Sequence, residues 1–319
     1  MMPEMNSDPT ELVVIKQTNA IHFYIKGTNP KSNRYLHYQL KRFQVPFDAD
    51  AVKPNHNLDV WRMHEVYEVE RTGAYSFANV RSGPIVHGGE WECAIMEKDA
   101  SDFMGGNAHG DEIMLNARFF FDDVEQDPSI PGTFTCRSIT FISHSRLFRD
   151  IKHLSAGQWI VDSTRSIPVA KHCKLFRIHS SRICLDQEIE WLVDTALSRS
   201  YFAMLPIKRK LLGASADQIT DRLCCDSDPE AYDISWDGFT HEANRKRPGI
   251  RKVMAWGTSS GISAELEIQE RNVWLPNENH HVSNAELYNK LYFDFSGECS
   301  VSPGDVWLQK AKYVLNTVN

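Results

Sequence analysis

No stretch of this 319-residue chain approaches the roughly 18 uninterrupted apolar residues of a membrane-spanning helix. The amino-terminal MMPEMNSDPTELVVIK has no basic segment leading into an apolar core, so no secretory signal peptide is read there. Cytoplasmic use, unconventional export and association with a virion are all compatible with that reading. The seven cysteines (Cys93, Cys136, Cys173, Cys184, Cys224, Cys225 and Cys299) are odd in number, widely spread and include no CxxC. They read as free thiols and offer no cysteine-based zinc site. A dinucleotide fingerprint, a P-loop and an internal repeat are also missing. Basic residues are outnumbered, 35 Lys plus Arg against 42 Asp plus Glu, for a formal charge of -7. An acidic surface of this kind argues against non-specific nucleic-acid binding, so neither nucleic acid nor membrane is expected as a partner.

Aromatic residues are plentiful, with eight Trp, ten Tyr and sixteen Phe, which suits a β-rich core or a sugar-stacking surface. Short alternating runs dominate, among them RYLHYQLKRFQV (34–45), VWRMHEVYEVER (60–71), IMLNARFFFDD (113–123) and VWLQKAKYVLN (306–316). Interruptions such as SGP, HGG, PGT and SPG fall between them. The pattern predicts an all-β fold, a large antiparallel β-sandwich or jelly roll with few short helices. One unit over 1–319 is expected, with residues 1–12 as a flexible lead-in and a closing strand from the last thirty residues. Within 60–71, period two places Trp61, Met63, Glu65, Tyr67 and Val69 on one side. Short helices are expected at 144–154 (HSRLFRDIKHL) and at 215–225, where Ser215 can cap and Gln218 sits at N3.

Chemistry-bearing residues are densest at 81–121. A strand over 89–97 would put Glu90 and Glu92 on one face, a carboxylate pair suited to glycosidic hydrolysis or to a solvated strand. His87 precedes them in HGGE, where the double glycine can expose it. Next comes DASDFMGGNAHGDE, a Gly-rich connection in which His109 lies between Asn107 and Asp111. A neutral imidazole there can accept a proton, oriented by Asp111 or Glu112, while Asn107 can donate to a carboxylate or oxyanion. His87, His109, Asp111 and Glu112, with His64 or His281, are also chemically competent for zinc or calcium. Their spacing matches neither HExxH nor an EF-hand loop, so the metal ligands stay unassigned.

Farther along, FRIHSSRICLDQEIEWLVDTALSRSYFAMLPIKRK supplies His179, Arg182, Gln187 and Tyr201. Arg177 and His179 alternate with Phe176 and Ile178 and so share a polar-facing side. KRK (208–210) and RKRPGIRK (245–252) are local basic clusters in an acidic protein, a contrast that suits an anionic substrate. Trp236 and Trp256 add candidate stacking surfaces.

Taken together, the strands, the Gly-rich His/Asn connection, the later His and Tyr and the basic patches resemble a β-sandwich polysaccharide lyase over 60–300. The resemblance implies β-elimination on a uronate-containing acidic polysaccharide or oligosaccharide. Asn107 and Arg81 would neutralise the carboxylate, His109 would abstract the C5 proton, and Tyr201 would protonate the leaving oxygen. His179 could exchange roles with His109. His87, Glu90, Glu92, Arg182, Gln187, Trp236 and Trp256 would line the substrate. This mechanism requires no cofactor, although calcium or zinc is compatible with the acidic loops. Two other readings stay open: a glycoside hydrolase using paired carboxylates, and a non-catalytic carbohydrate-binding or virion tail recognition protein. Oligomeric state is left open.

Overall fold

Period-two alternation runs the length of the chain, and in the computed structural model nearly all of it becomes strand. Residues 11–29, 31–46, 57–105, 111–211, 218–226, 228–238, 249–272 and 277–317 are described. The first strands are β1 (Leu12–Gln17), β2 (Ala20–Lys26), β3 (Arg34–Val45), β4 (Leu58–Arg71) and β5 (Phe77–Asn79). Next come β6 (Ala94–Glu97), β7 (Met104–Gly105), β8 (Glu112–Phe121), β9 (Val124–Gln126), β10 (Gly132–Cys136) and β11 (Ser138–Phe148). A hairpin of β12 (Lys152–Ser155) and β13 (Gln158–Val161) precedes β14 (Pro168–His179), β15 (Arg182–Trp191) and β16 (Thr195–Leu205). The chain continues through β17 (Arg222–Cys225), β18 (Asp228–Asp233), β19 (Lys252–Trp256) and β20 (Ile262–Arg271). The last three are β21 (Asn277–Ala285), β22 (Tyr288–Val301) and β23 (Val306–Thr317).

The fold is all-β, as its alternation predicts. Sixteen strands form one large sheet, ordered β10-β1-β2-β3-β4-β8-β11-β14-β15-β23-β20-β19-β17-β18, with β5 and β9 attached to β4 and β8. Five more make a smaller sheet, β21-β22-β16-β6-β7. Among the described residues strand pairing is antiparallel except at one seam, where Leu58 and Asp59 of β4 run parallel to Glu112 and Ile113 of β8. The final strand lies between β15 and β20.

Helices are absent from the described residues apart from one 3-10 turn, Ser163–Arg165. The expected helix at 144–154 is instead the end of β11 and the start of β12, and Arg222–Cys225 of the other is β17. Residues 212–217, including Ser215, lie outside the described residues. No helix here is long and apolar enough to cross a membrane. All seven cysteines are unbridged.

Inward-facing residues of both sheets build two apolar cores. The larger holds Phe119, Phe141, Phe176, Leu185 and Tyr313 from the large sheet and Ala203, Leu205 and Phe293 from the small one. The lesser holds Leu147, Ala170, Ile189, Trp191 and Trp307 against Ile95, Phe202 and Phe295. Each fully buried side chain of this size contributes about 1.5–3 kcal/mol.

Between the cores the inward positions change character. On β14 they read Ala170, His172, Lys174, Phe176, Ile178, all buried. Ser143 pairs with Lys174, Lys174 with Gln187 and Gln187 with Gln309, so a buried polar row crosses four adjacent strands in register.

Candidate active site

A β-bulge on β4 places a cluster of acid–base groups beside a cavity. Tyr38 pairs with Val66 and Leu40 with Met63, so Gln39 faces two residues, His64 and Glu65. Trp61, Met63 and Val66 enter the large core, whereas Tyr67 packs with Val69 on the opposite face. The single-sided arrangement expected for Trp61, Met63, Glu65, Tyr67 and Val69 is therefore corrected: the extra residue switches the phase halfway along β4.

Glu65 accepts from Tyr67 Oη at 2.7 Å and faces His87 Nδ1 at 2.7 Å. Burial opposes ionisation of Glu65, but the hydrogen bonds from Tyr67 and His87 and the neighbouring His64 outweigh it and hold the carboxyl below its usual range. A carboxylate only accepts, so His87 Nδ1 donates, and whenever the ring carries that proton alone its Nε2 accepts. The His87 side chain is 47% exposed. It lines a cavity of about 240 Å³ with Ser82, Pro84, Lys208, Lys210 and Leu287. Burial lowers the Lys208 amine, with Glu286 and Glu65 partly offsetting it. His64 is pushed down to about 4, mainly by burial and despite Glu65, and is neutral at pH 7. The arrangement offers two amines for an anion, with an oriented imidazole beside them.

Other sequence-predicted residues scatter. Asn107 and His109 lie outside the described residues. Arg81 donates to Glu68 at 2.6 Å and to the Ser260 carbonyl at 3.0 Å. Tyr201 sits on the outer face of the small sheet beside Phe103, Tyr292 and Arg199. His179 donates through Nδ1 to the Arg137 carbonyl at 3.0 Å and pairs across the β14–β15 hairpin with Arg182. The described contacts of Arg81, Tyr201 and His179 share no residue. Trp236 is 53% exposed, and Trp256 ends β19 half-buried.

The carboxylate pair separates. Residues 88–92 form turns rather than strand, β6 beginning only at Ala94. Glu90 meets Lys290, whereas Glu92 is buried and meets Lys174 at 2.5 Å. Gln187 is a strut between the sheets, accepting from Cys93 N at 3.0 Å and donating to the Phe202 carbonyl at 3.1 Å.

The buried row holds chemistry that escaped the sequence reading. Glu112 Oε1 lies 3.0 Å from His172 Nδ1 and 3.1 Å from Lys174 Nζ, and accepts from Ser145 at 2.5 Å. His172 Nε2 points at Cys93 Sγ, 3.7 Å away. Burial opposes the charge on Glu112, but Lys174 and then His172 hold it well below the carboxylate range. Burial likewise opposes protonation of His172, yet Cys93 and Glu112 raise it to about 10. Cys93, His172 and Glu112 are spaced like a nucleophile, base and orienter, but all three are buried to 1% exposure or less. Carrying the Phe176/Ile178 phase back along β14 would have found His172 and Lys174.

The residues weighed as metal ligands also part company: Glu112 joins this row, and Asp111 accepts from Asn57 N at 3.2 Å. Burial raises the Asp111 carboxyl to about 7. Among the described residues no group of three or more His, Cys, Asp and Glu is arranged to hold a metal ion.

No protein-family model and no curated protein matches the chain. Among solved structures, the Slr1438 protein from Synechocystis sp. PCC 6803 is 7% identical with a TM-score of 0.39, over 93% of this chain and 96% of that one. Heparan sulfate lyase HepC from Pedobacter heparinus is 9% identical with a TM-score of 0.37, over 95% of this chain and 36% of that one. The chain thus spans about a third of HepC, at 36%. At these scores neither likeness bears on function.

Proposed function

We propose that the protein binds an acidic polysaccharide in the His87 cavity and cleaves it by β-elimination. The observation that carries this reading is the Glu65–His87 pair opening onto a cavity lined by Lys208 and Lys210. The amines neutralise the uronate carboxylate and stabilise the enolate-like charge that develops at C5. Held by Glu65 through Nδ1, His87 takes the C5 proton on Nε2. The C4–C5 double bond forms as the C4–O bond breaks, and His87 returns its proton to the departing oxygen. This balance consumes no water and needs no further reactant. Relative to the sequence reading, His87 replaces His109 as the base, and the lysines replace Asn107 and Arg81.

Uronate-bearing polysaccharides incubated with the protein should yield new reducing ends together with the ultraviolet absorbance of an unsaturated product. Reducing ends without that absorbance would indicate hydrolysis and sink the elimination reading. Binding without either product would leave a recognition protein.

A further inference from the structure

Lys208, at the cavity wall, also touches a row of side chains on the small sheet. The Lys208 ammonium stands 3.8 Å from the ring centroid of Tyr288 at the start of β22. Tyr288, Lys290 and Tyr292 alternate along that strand and share its outer face, with Asn289, Leu291 and Phe293 buried behind them. Lys290 lies 5.2 Å from the Tyr292 ring and pairs with Glu90. The rings of Tyr292 and Tyr201 are 5.0 Å apart. Beyond them Arg199 sits 4.7 Å over Tyr201 and pairs with Asp294. Three cation–aromatic pairs therefore follow one another from the cavity across the small sheet. From Tyr288 to Tyr292 alone the row spans about 13 Å, at roughly 3.3 Å per residue.

We propose that this row is a binding track that extends the His87 cavity and holds consecutive sugar residues of an anionic polysaccharide. The inference deepens the proposed function and takes its ligand class from it. Tyrosine rings present the flat apolar surface that the C–H face of a sugar covers, and cations beside them meet acidic substituents. Glu90 and Asp294 hold Lys290 and Arg199 near the rings before any ligand arrives, so little side-chain freedom is lost on binding. Burial lowers Lys290 to about 8, a cost that packing alone would avoid with an aliphatic residue. Tyr201 then becomes a residue that grips the chain at a distance from the bond being broken.

The test is affinity against chain length, measured by titration calorimetry with size-fractionated uronate oligosaccharides from disaccharide to octasaccharide. Wild-type affinity should rise with length. Tyr292→Leu and Arg199→Gln should each bind the octasaccharide about tenfold more weakly and lower the octasaccharide-to-disaccharide ratio correspondingly. Arg199 is half-exposed, so its substitution carries the test if Tyr292→Leu fails to melt cooperatively. Wild-type length dependence retained in a folded variant would overturn the track. Should Lys208→Ala then weaken every length equally, the cavity reading would survive without it. Length-dependent binding with no unsaturated product would keep the track and remove the elimination chemistry. No binding of any uronate oligomer would overturn both.

Discussion

His87 and His172 each turn Nδ1 toward a glutamate Oε1, at 2.7 Å from Glu65 and 3.0 Å from Glu112. The same atoms meet at nearly the same separation, and the surroundings set their chemistry apart. His172 is sealed between two apolar cores, with Nε2 aimed at Cys93 and a lysine sharing its carboxylate. Its proton is held so firmly that it cannot serve as a base near neutrality. Around His87 one side of the ring is fixed by Glu65, while the other belongs to a cavity. A dyad's geometry fails to identify a reactive site when no reactant can reach it.

Breaking the buried pair should have the largest effect. Glu112→Gln leaves Lys174 and His172 with one carboxylate fewer in the interior and should cost about 3–5 kcal/mol in urea unfolding. A loss below about 1 kcal/mol would mean that the row relaxes or hydrates freely. The matching change at the open pair, Glu65→Gln, should spare folding and strike catalysis. Elimination should slow by about 10- to 100-fold through loss of the carboxylate that orients His87. Equal rates in Glu65→Gln and wild type would detach His87 from the chemistry.

Acidity separates the two regions next. Folded His172 titrates at about 10, against about 6.5 when unfolded. The unfolded chain binds fewer protons in that window, so its stabilisation is complete below about pH 6.5 and lost as pH rises toward 10. His64 near the open pair behaves oppositely, its folded value of about 4 lying below the unfolded one. That contribution is present above about pH 6.5 and lost as pH falls toward 4. Urea midpoints across this range should show His64→Asn flattening only the acidic arm, and an altered alkaline arm would refute the assignment. The smallest effect is expected at the cavity rim. Lys210→Ala should weaken binding of an acidic oligosaccharide about threefold at low salt, the difference closing as salt is added.

The strands were legible because Val, Ile and aromatic residues alternate with polar ones, and RYLHYQLKRFQV became β3 over the same residues. The misreadings share a cause. Along β11 the inward series runs Ile139, Phe141, Ser143, Ser145, Leu147, and its two serines interrupt the apolar alternation where the strand contributes to the polar row. What remained was Leu147, Ile151 and Leu154, whose spacing imitates a helix. His87 stood out beside its glycines. Glu65 did not, because unbroken alternation assigned it to the side of Trp61. A bulge carries no apolar signature, and neither does a salt bridge spanning sixty residues of sequence, as His172 and Glu112 do.

That bulge also gives β4 something like a reading frame. Trp61 and Met63 enter the large core from odd-numbered positions before the bulge, and Val66 enters it from an even-numbered one after it. Deleting either His64 or Glu65 would leave one residue opposite Gln39 and keep both stretches facing as they do, whereas a deletion elsewhere on the strand would turn one stretch inside out. Conservative substitutions on this strand should be far better tolerated than a change in its length outside the bulge. In a library of single-residue deletions along β4, positions 64 and 65 should therefore emerge as a stretch that folding tolerates between two sharply intolerant flanks.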